Sequence, residues 1–367
     1  MSLLPDAERV RAKRRRAVAW WLFIGVAMIL VQILLGGVTR LTGSGLSITE
    51  WKPILGAVPP MNEHDWNAAF ELYKVKAVGQ YINHNSDYTL ADFKAIYFWE
   101  WLHREWARLL GVVFIIGFVF FLARKYFDRN MVTPFVILFL LGALQGAVGW
   151  IMVASGLNPD DTHVSHIKLA LHFMFALVLL CYTFWFALKL LLPEEKRIVF
   201  PKLNSFSLLL LVLLTIQLIY GAFMAGLKAA PAAATWPDVN GTYIPENVSS
   251  FGANTYTGLH ILTDQPIVIH YIHRTLAYVL FVLVCVWFAQ SRRLARQANS
   301  SLLLRASFST LAFIVLQVLL GIITVLNAPL MTQNKFLRFE LFAELHQMVA
   351  ICLLMSLLLN FYLVKKK

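Results

Sequence analysis

AVAWWLFIGVAMILVQILLGGV, residues 17–38, runs for 22 positions without a charged side chain, directly after Arg14-Arg15-Arg16. About 20 apolar residues in a helix cross the hydrocarbon core of a bilayer, and the most polar side chain in this run is Gln32. Runs of the same character follow at about 99–122, 131–153, 166–191, 204–226, 270–290, 305–327 and 341–363, which makes eight spans. Composition agrees. Of 367 residues 59% are hydrophobic and 14% charged, with a mean hydropathy of +0.66, which excludes an ordinary water-soluble globular protein. The expectation is an all-α, polytopic membrane protein. Its first span is too long for a signal-peptide core, has no small-residue cleavage site after it, and should stay in the mature chain.

The 32 Lys and Arg against 20 Asp and Glu leave a formal net charge of +12. Nucleic-acid binding needs such charge gathered on one face or stripe. Here 20 of the 32 are divided among Arg9–Arg16, Arg124–Arg129, Lys189–Lys202, Arg292–Arg305 and Lys365–Lys367. Every second connection is therefore basic, the bias of cytoplasmic segments, so the partner is a lipid bilayer and no nucleic acid is expected. Both termini fall on the cytoplasmic side. The long connections at about 39–98 and 227–269 face outward, and Asp65–Ile82 reads as one amphipathic helix along the interface, either an anchor or a lid.

Cys181, Cys285 and Cys352 all fall inside apolar spans, where thiols behave as small hydrophobes. With no cysteine in an outward connection, neither a structural disulfide there nor a zinc-finger ligand set is available.

The chain repeats itself. Gln followed four residues later by Gly occurs in every odd-numbered span, as Gln32/Gly36, Gln145/Gly149, Gln217/Gly221 and Gln317/Gly321. One such pair says only that helices pack closely, but four at equivalent places mark a duplication. The second span opens Glu100-Trp101-Leu102-His103-Arg104 and the sixth His270-Tyr271-Ile272-His273-Arg274; the fourth carries His172 and the eighth His346. Each half is then a four-helix bundle, and an even number of crossings between halves makes the repeat parallel. The chain divides into a basic tail (1–16), an N-terminal bundle (17–191), a cytoplasmic linker (192–203), a C-terminal bundle (204–363) and a short tail (364–367).

Ionisable groups in a membrane are costly and mark function by default. The four histidines form two matched pairs, each a turn or two below the outer face. Two imidazoles on opposing helices suit a planar iron macrocycle between them. Zinc wants three or four ligands, and no third survives the repeat, because Glu100 is matched by His270. Two heme-type sites follow, one per half. His64, His84, His163 and His166 read as solvated or structural. His270 is an alternative ligand to His273, although matching Arg274 to Arg104 favours His273.

Gly37-Val38-Thr39-Arg40-Leu41-Thr42-Gly43-Ser44-Gly45-Leu46-Ser47 with Glu50-Trp51, then Glu100-x-x-His103-Arg104, His172, His273-Arg274 and His346, resembles heme A synthase of the proteobacterial and mitochondrial form, over nearly the whole chain. The resemblance implies an oxidoreductase of the bacterial inner membrane with two pseudo-symmetric bundles and heme sites toward the outer face. It implies oxidation of the C8 methyl of heme O by two hydroxylations to a formyl group, giving heme A for cytochrome oxidase. On the same ground His103 and His172 match the substrate-heme pair in the N-terminal bundle. His273 and His346 match the axial ligands of a heme b cofactor in the C-terminal one. Heme O synthase is the implied partner; the electron donor and any homo-oligomer stay open. Some relatives carry a cysteine pair in the first outward connection, which this chain lacks, so a mechanism through that pair cannot operate here.

Glu100 matches a functional glutamate of that family. Independently, a carboxylate in one bundle alone is what catalysis needs and electron transfer does not: it could relay protons or stabilise positive charge on the reacting carbon. The competing reading is an intrahelical ion pair with Arg104. Arg104 and Arg274 are candidate partners for heme propionates, or anchors at the headgroups. A diheme membrane cytochrome b that only passes electrons is the alternative function and gives Glu100 no necessary role. A transporter would need helices broken at mid-membrane, and the Pro residues lie mainly in connections.

Overall fold

A computed structural model describes residues 6–52, 55–332 and 335–366; the first five residues of the expected tail and Lys367 lie outside them. Among the described residues eight helices are long and apolar enough to cross a membrane: α1 (Asp6–Leu41), α4 (Leu90–Ala123), α5 (Val132–Ala154), α6 (His166–Leu191), α7 (Pro201–Gly226), α9 (Pro266–Gln297), α10 (Ser301–Leu326) and α11 (Arg338–Leu363). Between them lie α2 (Glu63–Lys76), α3 (Val78–His84) and the single turn α8 (His260–Thr263). All eight expected spans are present.

Their ends differ from expectation for local reasons. At 1.5 Å per residue the 36 residues of α1 reach about 54 Å, well beyond a core of about 30 Å. The expected basic tail is thus helical from Asp6, as its Ala, Glu, Lys and Arg permit. It docks on the next basic connection, with Arg11 and Arg15 paired to Asp128 at 3.2 and 3.4 Å. Helix α4 starts at Leu90 and not near 99, because Thr89 and Asp92 form a capping box and Phe93 and Ile96 give the extra turns a buried face.

The single amphipathic helix expected at Asp65–Ile82 is two helices, broken at Ala77, whose ψ of 44° leaves the helical region. The break brings Gly79 onto the carbonyls of Pro159 and Asp161, where a Cβ would overlap both. The apolar face of α2 is spent on protein: Phe70, Tyr73 and Ala77 cluster with Leu46, Phe93, Ile96 and Val153. Tyr73 is fully buried, accepting from Asn85 at 2.7 Å and donating to Gln80 at 3.2 Å, and burial raises its phenol above the usual range. This segment therefore packs on the ends of α4 and α5.

In the second half α7, α9, α10 and α11 pack in a closed ring. In the first half α1 packs on α4 and α6, and α5 on α6; α6, α7, α1 and α11 join the halves. The end of the first half that bears the 124–131 connection is aromatic, with Trp21, Phe118, Phe127 and Phe186 gathered round Phe135. Hydroxyls button the second: Ser291 to Ser307 at 2.6 Å, Thr310 to Ser356 at 2.7 Å, and Asn360 to Thr310 at 3.1 Å. The linker and the terminal segment, read as separate, pair as a two-residue parallel ladder of β1 (Ile198–Val199) and β4 (Val364–Lys365). Asn204 fixes that ladder by donating to the Val364 carbonyl at 2.6 Å. A small hairpin, β2 (Ser250–Phe251) and β3 (Asn254–Thr255), lies in the second outward connection.

Candidate heme-binding sites

Four histidines meet four glycines. A Cβ built on Gly36 would lie 3.2 Å from His103, on Gly149 2.9 Å from His172, on Gly221 3.3 Å from His273 and on Gly321 3.0 Å from His346. Each Gln-x-x-x-Gly pair is thus the bed on which the imidazole of the neighbouring helix stands, and alanine there would push the ring.

The glutamines work one turn earlier. Nε2 of Gln32, Gln145 and Gln217 donates to the backbone carbonyl of His103, His172 and His273 at 3.1, 3.2 and 3.0 Å. Nε2 of Gln317 lies 3.2 Å from Nε2 of His346, whose Nδ1 lies 3.1 Å from the Gln317 carbonyl. In all four the carboxamide oxygen is buried without a partner. A metal-bound histidine almost always donates its other ring N–H to an acceptor, and the carboxamides of Gln145, Gln217 and Gln317 lie 3.2, 3.3 and 3.2 Å from a ring nitrogen of His172, His273 and His346. The repeat marks the duplication in the sequence, and the further signal for its role is that each Gln lies one turn before its Gly.

His273 faces His346, with ring centroids 6.3 Å apart and planes at 72°. Two imidazoles holding one iron from opposite sides, each nitrogen about 2 Å from the metal and its centroid about 1.2 Å beyond, would stand about 6.4 Å apart. The pair therefore fits a bis-imidazole heme. His270 is fully buried beside the backbone of Ala230, so it is His273 that confronts His346. His103 and His172 sit close enough to interact electrostatically. Among the described residues no group of three or more His, Cys, Asp and Glu gathers to hold a bare metal ion.

Glu100 is 3% exposed and its carboxylate accepts three hydrogen bonds. One carboxylate oxygen accepts from Ser47 Oγ at 2.7 Å and from the Ile48 amide at 2.8 Å; the other accepts from Arg104 at 2.6 Å. Arg104 also donates to the carbonyls of Ile48 and Glu50 at 2.7 and 3.0 Å. The ion pair read from the sequence is thus one part of a latch that holds the start of the first outward connection onto α4. Arg274 does the same in the other half, donating to the carbonyls of Ala233 and Asp238 at 2.6 and 2.7 Å. Its Nε is buried without a partner.

The other histidines sort by place. His64 is exposed beside Asp65; His166 spans to Asp264 and the Thr263 carbonyl, tying the two outward regions. His84 and His163 lie with ring centroids 5.1 Å apart and planes tilted by 53°. Burial, then the Lys228 charge, pushes the His163 imidazole down to about 4. Lys228 is itself pushed down to about 8 by burial and by Arg40. His163, Lys168 and Lys228 line an outward cleft of about 890 Å³ between the α5–α6 connection and the end of α7.

Sequence comparison adds a family. Residues 19–358 match the family model of the cytochrome oxidase assembly protein. The chain is 37% identical to the heme A synthase of Flavobacterium johnsoniae, covering 87% of this chain and 92% of that one. It is 40% identical to that of Bradyrhizobium diazoefficiens, covering 85% and 84%. The heme A synthase of Parvibaculum lavamentivorans is 38% identical, with 89% and 91% covered.

Proposed function

The chain belongs to the cytochrome oxidase assembly protein family, and from that premise we propose that it is a heme A synthase, an oxidoreductase that converts a ring methyl of heme O to a formyl group. The observation that carries the reading is the matched bed of Gln, Gly and His, repeated four times, in a chain 37–40% identical to heme A synthases along most of its length. His103 and His172 hold the substrate heme in the half formed by residues 17–191. His273 and His346 hold a heme b in the half formed by 204–363. Heme b, when bound, supplies electron transfer to the substrate site.

The protein's own residues bind, orient and shield. The glycine beds set the imidazoles; Gln32, Gln145 and Gln217 hold the backbone from which His103, His172 and His273 project, and Gln317 holds the His346 ring itself. Glu100 stands one turn before His103. A carboxylate offers about four lone-pair positions; three are occupied by Ser47, Ile48 and Arg104. The fourth, on the oxygen shared with Arg104, is available to stabilise positive charge at the reacting carbon or to accept its proton. The methyl would be hydroxylated twice, each time by an oxidant that supplies the oxygen atom from outside the protein, and the resulting geminal diol would lose water to leave the formyl group. Arg104 and Arg274 keep the outward connections closed over the sites; the Nε of Arg274 is the donor a propionate of heme b would meet.

The protein is multi-pass. By the basic connections its termini face the cytoplasm and its heme sites the outer side of the bacterial inner membrane. Heme O synthase supplies its substrate, and the electron donor is a partner still to be found; assembly as a homo-oligomer is compatible with this reading. Co-expression with a heme O synthase in a host lacking heme A, followed by extraction and mass analysis of the hemes, tests the function. The formyl product should appear, and should be lost in Glu100→Ala with protein still in the membrane. Heme b and unmodified heme O alone, from a folded protein given candidate reductants, would instead establish an electron-transferring diheme cytochrome.

A further inference from the structure

The two halves differ in how one pair of helices meets. In the C-terminal half α9 runs along α10, with Phe288 edge-on to Phe308 at 5.0 Å and the Ser291–Ser307 bond one turn on. The corresponding pair in the N-terminal half, α4 and α5, meets at the end bearing the 124–131 connection through Phe118 and Phe135, 5.9 Å apart. At the outer end it meets in the cluster that holds Ile96 and Val153. Between these points the two helices hardly touch, and α4 is held chiefly by α1.

Register explains the difference. Counted from His103 and His273, Gly111 of α4 stands where α9 has Phe281; counted from Gln145 and Gln317, Gly142 and Gly146 of α5 stand where α10 has Ile314 and Val318. Ile314 belongs to the core and Phe281 packs against it. A Cβ on Gly111, Gly142 or Gly146 would meet nothing within 4 Å. By helical phase Gly142 and Gly146 share a face with Phe135, Leu138 and Val153, all buried, so they look into the bundle and not away from it. The buried, unpartnered carboxamide oxygen of Gln145 lies on this face too.

We propose that the gap between α4 and α5 is the lipid-facing mouth of the substrate site, through which a flat, apolar tetrapyrrole passes sideways from the bilayer and its oxidised form leaves. The inference rests on His103 and His172 being the substrate pair. A water-insoluble ring dissolved in the membrane has no reason to cross the aqueous face. Of the other routes, one is plugged by the aromatic cluster at the inner end, the other by the connection latched through Glu100 and Arg104. The side chains of Phe281 and Ile314 close the same seam in the other half. One architecture thereby exchanges its heme in one bundle and retains it in the other.

The test fills the mouth with the residues that the second half uses. Gly111→Phe and Gly142→Ile, singly and together, should leave the heme spectrum of the C-terminal half and the amount of protein in the membrane unchanged. Uptake of added heme O should be slowed in each single variant and lost in the double one. Val112→Phe and Leu140→Phe, on exposed faces turned away, should change neither. Wild-type uptake in the double variant would overturn the proposal. A variant that fails to fold is bypassed by a second readout: Gly142→Cys in a chain with Cys181, Cys285 and Cys352 replaced by alanine, labelled with a membrane-permeant maleimide. Added heme O should slow the labelling, and an unchanged rate would overturn the mouth. Protection without formation of heme A would sink the enzymatic reading while leaving the mouth standing, because labelling reads binding alone.

Discussion

The carboxylate of Glu344 in α11 presses against the backbone of Gly37 in α1, so that a Cβ at position 37 would overlap its terminal atoms. The preceding residue, Gly36, is turned to His103, and Glu344 precedes His346 by two positions. Helix α1 is therefore the wall between the two sites, thinned by adjacent glycines to admit a side chain from each half.

Gly37→Ala should destabilise the protein by roughly 1–3 kcal/mol, the usual cost of overpacking a filled interior. Glu344→Ala in the same chain should return part of that loss, because the two residues share one space. Thermal unfolding in detergent of the two single variants and the double one gives the cycle; additive losses would refute the contact.

Glu100→Ala removes the acceptor shared by Ser47, Ile48 and Arg104. Beyond its effect on heme A formation, it should free the connection around residues 47–50 and speed its cleavage by added protease. Glu100→Gln keeps one oxygen acceptor and should loosen the segment less. A variant that loses heme A formation with cleavage unchanged would assign Glu100 to chemistry alone.

Gln217→Leu deletes the donor to the His273 carbonyl and the carboxamide beside its ring. Loss of such an outer partner weakens metal-site affinity by about 10- to 100-fold, so the heme b proposed at His273 and His346 should be released more readily and its absorption bands shifted. Gln217→Glu retains the acceptor and should bring the ligand-sensitive bands back toward wild type. Identical heme retention and spectra in all three would remove the glutamine from the site.

Arg274→Ala leaves the carbonyls of Ala233 and Asp238 without their donor under the second outward connection. Bonds to a charged group contribute about 1.5–3 kcal/mol each. Hydrogen exchange in 230–240 should accelerate while the core of α9 stays protected; equal acceleration in both would mean global loosening instead.

The His163 imidazole, at about 4 in the folded protein against 6.5 when free, binds its proton more readily unfolded. Between these values the unfolded chain carries the extra proton, so stability is present above 6.5 and falls as pH drops toward 4. His84, lowered by burial and Lys228, works in the same direction. Hydrogen exchange in 156–166 should rise on acidification through this window, and His163→Gln should flatten the rise. A rise of the same size in the variant would place the acid sensitivity elsewhere.

The sequence alone determined the class of the molecule and the residues at stake. Apolar runs of helical length leave a membrane chain no other option, and charge gathers at alternate connections. Repeats four residues apart put Gln and Gly on one helix face whatever the helix packs against. Periodicity is a local property, and local properties survive without a fold. What the repeat was for depended on the neighbouring helix: only packing could turn Gly36, Gly149, Gly221 and Gly321 toward four imidazoles. The same holds for Glu100, whose partners Ser47 and Ile48 are more than fifty residues away in the chain. It holds for Ala77, where docking of Gly79 on the 159–161 carbonyls overrode an unbroken amphipathic pattern, and for Glu344, which no motif marked and which burial against Gly37 alone brought out. The gap between α4 and α5 was decided in the same way: three glycines weaken a seam only if they face each other, and facing is a property of the assembled bundle.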